Sequence, residues 1–170
     1  ITTTMSSATL SRIVNLELDA NFDDWKIWAL DNAIDHRILS FLMFKEELFH
    51  KFNPQDLKNP FPCPRTWDFT SRVSHGLELT IDNDFGIISG IIGPGAAREF
   101  IEYTSIYGKI KTIEEILKDP EGIEIENRPD IKYAYAGYVA SKIDPNNGAQ
   151  LMKFINKLPV EFQIVTLSSA

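Results

Sequence analysis

The chain's apolar residues change spacing once, near its start, and keep the new spacing to the end. From Arg12 to Leu18 the apolar positions Ile13, Val14, Leu16 and Leu18 fall among Asn15 and Glu17, which predicts a short strand. A lone strand cannot satisfy its own backbone groups, so this one requires sheet partners from outside the chain, or it is not a strand. After Asp19 the spacing becomes helical. Helices are predicted near 22–33, 35–52, 64–75, 95–107, 131–143 and 148–157, with shorter ones over 83–93 and 112–119 and a last one opened by Pro159. The acid- and amide-rich run Asp19–Asp23 and then Asp35 supply N-caps. Thr112-Ile-Glu-Glu115 is a capping box, and Pro64 and Pro94 suit first turns. Four prolines (Pro54, Pro60, Pro62, Pro64) make 53–64 an extended loop. Trp25, Trp28, Leu39, Leu42, Phe49, Trp67, Phe69, Phe100, Tyr103 and Phe162 are the expected core. The fold class is therefore mainly α with a short residual N-terminal strand. Residues 1–20 form one part, and 21–170 one compact helical domain.

At 170 residues the chain is long enough to bury a core without disulfide or metal staples. Its longest apolar stretch, Ile38–Phe44, is far short of the ~20 residues that span a bilayer, so no membrane partner is expected. The net charge of −7 repels a phosphate backbone, and Lys109-Ile-Lys111 is too small a basic patch to offset it, so nucleic acid is not an expected partner. One cysteine, Cys63, and no recognisable leader fit a cytoplasmic protein. The start on Ile1 suggests a segment of something longer.

Most chemical motifs are incomplete. Gly86-Ile-Ile-Ser-Gly90-Ile-Ile-Gly93-Pro-Gly95 is followed by Ala96-Ala97, not the Lys-Ser/Thr of a P-loop, and reads as small residues for close packing and a turn. Glu47-x-x-His50 is half of a di-metal carboxylate signature without its second half. His36, His75 and Cys63 complete no zinc set, and Ser74-His75 has no placed acid. Two arginines stand apart. Arg65 follows Pro62-Cys63-Pro64 at a helix start, where rigid flanks aim a guanidinium suited to phosphate oxygens. Arg12 stands at the mouth of the expected strand. A surface ion pair is the plain alternative for each.

Taken in order, several phrases resemble the C-terminal part of MoxR-like AAA+ ATPases of phage and bacterial type. They are Met5–Leu18, Trp25-Lys-Ile-Trp-Ala29, Ile38-Leu-Ser-Phe-Leu42, Pro60-Phe-Pro-Cys-Pro-Arg-Thr-Trp67, Ser89-Gly-Ile-Ile-Gly-Pro-Gly-Ala-Ala97 with Phe100, and Leu158-Pro-Val-Glu-Phe162. Cys63, Ile13 and Pro94 depart from the residues usual in that pattern, and none of the three removes a charge. The resemblance implies that a nucleotide-binding core precedes Ile1, that the strand at 13–18 is the last of that core, and that the rest is a helical lid. It makes Arg65 the second sensor arginine, touching ATP, and Arg12 a candidate arginine finger for a neighbouring subunit of a ring. ATP and Mg²⁺ would be bound by the parent and not tightly by this fragment, which alone would be inactive. The parent would remodel a protein client. A stand-alone helical protein-interaction module, anchored by Trp25, Trp28 and Trp67, is the other expectation.

Overall fold

The computed structural model describes residues 5–14, 16, 18–56 and 58–168. It is mainly helical, and the described residues contain no strand. A four-residue helix, α1 (Ser7–Leu10), is capped by the Ser6 side chain. The strand expected from Ile13 to Leu18 does not form among the described residues; Asn15 and Glu17 lie outside them. Val14 is 85% exposed and Leu18 94%, and the described residues include no neighbouring strand to supply the hydrogen bonds a strand needs.

The body comprises α2 (Phe22–Asp31), α3 (His36–Phe44), α4 (Pro64–Ser74), α5 (Ile81–Ile92), α6 (Pro94–Thr104), α7 (Ile113–Lys118), α8 (Pro129–Ala140), α9 (Gly148–Ile155) and α10 (Val160–Ser168). Caps fix most starts. Asn21, Asp35, Thr80 and Thr112 accept first-turn N–H groups, and Thr112 and Glu115 form the expected capping box. The helix expected over 35–52 is shorter. Lys45 leaves helical geometry, its ammonium pairs with Glu99 of α6, and a 3₁₀ turn over Glu46–Leu48 follows. That turn aims the Leu48 carbonyl at the Trp67 indole N–H, 3.0 Å away.

The core centres on an aromatic cluster. Trp67 of α4, fully buried, lies against Phe41 of α3 and Phe100 of α6, with centroids 5.8 and 5.7 Å apart. Tyr103 of α6 lies 5.4 Å from Phe41. Helix α8 runs close along α3 because residue 137 is glycine. A Cβ there would sit 2.6 Å from Cβ of Ser40 and 3.3 Å from the His36 carbonyl. Of the small-residue run, Gly93 alone meets a close neighbour: its φ is +81° and a Cβ would strike the Pro60 carbonyl. Gly86, Gly90 and Gly95 face open space, so close packing does not explain them.

Two expected core residues lie outside. Trp28 is 42% exposed and Phe69 46%. On α4 the buried face is Trp67, Thr70, Ser71 and Ser74, while Arg65, Phe69, Arg72 and Val73 point out. On that buried face Ser71 Oγ accepts an N–H from Asp35, and Thr70 and Ser74 donate to carbonyls of α4 itself. The other eight expected core residues are buried.

Candidate functional site

The two arginines occupy different settings. Arg65 stands in the first turn of α4, whose start is held firmly. The Cys63 N–H donates to Thr66 Oγ1 at 2.8 Å, the Thr66 hydroxyl donates to the Phe61 carbonyl at 3.1 Å, and Lys51 N–H donates to the Pro62 carbonyl at 2.9 Å. Pro64 fixes the backbone just before it. The Arg65 side chain is exposed, and among the described residues it makes no ion pair or side-chain hydrogen bond. Arg12 is exposed in the turn after α1, its backbone N–H donating to the Thr9 carbonyl. No hydrogen bond or ion pair among the described residues links these two arginines.

The other motifs remain incomplete. No group of three His, Cys, Asp or Glu side chains among the described residues could hold a metal ion. Ser74 is fully buried with its hydroxyl turned to the Ser71 carbonyl, while His75 is exposed.

At the opposite end of α4 lies a polar cluster that the sequence reading missed. The sequence pattern marks Asp35 only as a helix cap. It does cap α3, accepting from the Arg37 N–H at 2.9 Å, but its carboxylate is also buried against the Arg37 guanidinium. Nε of Arg37 donates to both carboxylate oxygens at 3.0 and 3.1 Å. Nη2 donates to the Ser74 carbonyl and Nη1 to the Leu77 carbonyl, each at 2.7 Å. The Asp35 N–H donates to Ser71 Oγ at 2.9 Å. Arg37 thus caps the carbonyl end of α4 from the start of α3, a favourable place for a cation. The sequence did carry a signal. Asp35-His36-Arg37 opens a helix with no other charge through Phe44, and charged groups beside so apolar a helix are buried only when they pair.

Burial raises the Asp35 carboxyl, but the Arg37 hydrogen bonds and charge outweigh it and hold the group below 3.8. His36 packs edge-on to Tyr107 at 5.3 Å and lies 5.9 Å from Tyr138. Burial depresses its imidazole below 6.5; Asp35 opposes this, and the Arg37 and Lys142 charges add to it. Tyr107 shares a 2.7 Å hydrogen bond with Ser40, and burial pushes its phenol well above the usual range.

A pH dependence follows. The folded state holds His36 neutral where the unfolded chain, titrating near 6.5, is already binding a proton. Stability is therefore present above 6.5 and falls as pH drops through 6.5 toward the depressed folded value. The Asp35 contribution is lost only at lower pH, below 3.8. Urea midpoints measured between pH 8 and 5 should fall, and His36→Asn should flatten that slope. An unchanged slope in the variant would assign it to another group.

Beside this cluster is a cleft of about 760 Å³ between the α2–α3 corner, the turn after α4, and the end of α8. None of the described helices is long and apolar enough to cross a membrane. Comparison of the chain with protein-family models, curated proteins and solved structures gives no match.

Proposed function

We propose that the chain is the C-terminal helical lid region of a MoxR-like AAA+ ATPase, coupling ATP binding and hydrolysis in a ring to the remodelling of a protein partner. The observation that carries this reading is Arg65. It is a cation without an acidic partner among the described residues, at the start of a helix braced at both ends. Phe69 and Val73 continue the same exposed face at i+4 and i+8, 46% and 40% exposed. A nucleotide-binding core covering that face would bury the apolar pair and place the guanidinium against phosphate oxygens.

In this reading Arg65 is the second sensor arginine and Arg12 the arginine finger offered to a neighbouring subunit. Both are exposed, and a planar guanidinium fork suits phosphate oxygens. In this reading the phosphate nest and the Mg²⁺ carboxylates belong to the upstream core. Bound ATP with Mg²⁺ would supply the phosphoryl group to be transferred. The contribution of this chain would be to orient that group and neutralise charge on it. The parent would be cytoplasmic, where a lone Cys63 stays a thiol.

Calorimetry and a turnover assay test the reading. The isolated chain should hydrolyse no ATP and bind it no tighter than about millimolar, since two arginines cannot replace a P-loop. The same chain joined to its upstream core should do both. Micromolar ATP binding by the isolated chain, or an upstream reading frame without Gly-x-x-x-x-Gly-Lys-Ser/Thr, would overturn it and leave the stand-alone interaction module.

A further inference from the structure

The cleft beside Asp35 and Arg37 lies at the far end of α4 from Arg65, about 14 Å along the helix. Its size falls in the range of small-molecule sites. Leu30, Ile34, Leu39, Met43 and Leu77 give it apolar walls. Its polar lining comprises Asp35, His36, Arg37, His75, Tyr107, Ser141 and Lys142, and the Arg37 and Lys142 charges both act on His36.

The charges there do not cancel. Those acting on His36 are one anion, Asp35, and two cations, Arg37 and Lys142. Asp35 and Arg37 neutralise each other as a contact pair. Lys142 is exposed and makes no ion pair among the described residues. One positive charge is thus left at an apolar cleft, on a chain whose net charge is −7.

The donors match that charge. Nη1 of Arg37 gives one N–H to the Leu77 carbonyl, and its second has no acceptor among the described residues. Lys142 offers an ammonium. The Asp35 carboxylate, which would repel an anion, accepts three hydrogen bonds from the Arg37 side chain and one from the Arg37 backbone. A cation would find no available acid here, and a neutral apolar molecule would leave the Arg37 N–H unpaired.

We infer that this cleft binds a small carboxylate with an apolar body, its charge seated toward Lys142 and Arg37 and its body against Met43 and Leu77. The inference stands whether or not the chain belongs to an ATPase.

The test uses octanoate as the probe, with octylammonium, 1-octanol and inorganic phosphate as charge and shape controls. Amide NMR shifts of the folded chain report binding. Octanoate should saturate one site with Kd of about 1 mM or tighter. It should move the amide signals of His36, Gly76, Leu77 and Ser141, and bind more tightly than the three controls. Lys142→Glu should weaken it at least about tenfold, the size of one charge contact. Lys153→Glu on α9, outside the cleft, should not weaken it. Both lysines are exposed, so both variants should keep the wild-type spectrum elsewhere. The inference is overturned by any of three results. These are no saturation by about 20 mM octanoate, a control bound as tightly as octanoate, or Lys142→Glu and Lys153→Glu with equal effects.

Discussion

Asp35→Ala should destabilise the chain by about 3–5 kcal/mol, measured as the unfolding free energy from urea titration at pH 7.5. The size follows from what the substitution leaves behind. The Asp35 side chain is 5% exposed and that of Arg37 12%, so the guanidinium would stay buried without its counter-charge. The Asp35 carboxylate also receives the N–H that caps α3, and losing a cap adds about 1 kcal/mol. Arg37→Ala should cost a similar amount for a different reason. It strands the carboxylate and uncovers the Ser74 and Leu77 carbonyls at the end of α4. The double variant should cost clearly less than the sum of the two, because removing both charges leaves neither one uncompensated. Additive losses would mean that the two residues act separately, through the cap and the carbonyls, and that their ion pair contributes little.

The residues of this cluster also show why a sequence is read unevenly. Helix starts were legible because they depend on neighbours in the chain. Thr112 and Glu115 cap each other within four residues, and Pro64 sets its own φ. The burial of Trp67 was legible because a large aromatic inside a helical pattern has few other places to go.

What failed depended on partners distant in sequence. Ser71 faces inward where its Oγ accepts the Asp35 N–H, and Arg37 binds the Ser74 carbonyl on the same side, both from residues more than thirty positions earlier. With that face occupied, Phe69 is left outside. The expected 35–52 helix ends at Phe44, where Lys45 leaves helical geometry and its ammonium pairs with Glu99, distant in sequence. The expected strand at 13–18 followed local alternation, yet strand formation needs an adjacent chain that the described residues do not supply. Arg65 is an intermediate case. The proline run predicted a held backbone, and Cys63, Thr66 and Lys51 hold it. Its lack of an acidic partner among the described residues became visible only with the helix in place.

That combination makes Arg65 the residue whose loss separates function from folding. In the full-length ATPase of the proposed reading, Arg65→Ala should lower ATP turnover by roughly 10²-fold or more. A charge-assisted contact that strengthens as the phosphoryl group transfers acts on the transition state, so kcat should fall more than KM rises. Arg65→Lys should recover little, because an ammonium cannot reproduce the planar fork. Folding should be nearly indifferent. The side chain is exposed and unpaired among the described residues, the start of α4 is held by Thr66 and Pro64, and a surface substitution of this kind usually changes stability by no more than ~0.5 kcal/mol. Asp35→Ala provides the contrast, with a large loss of stability at the other end of the same helix. If turnover fell in proportion to unfolding in both variants, Arg65 would be acting through the stability of α4. If turnover were unchanged in Arg65→Ala, the guanidinium would make no contact with the nucleotide and the sensor assignment would fail. A hundredfold loss of kcat in a chain that unfolds at the wild-type urea midpoint is the expected result.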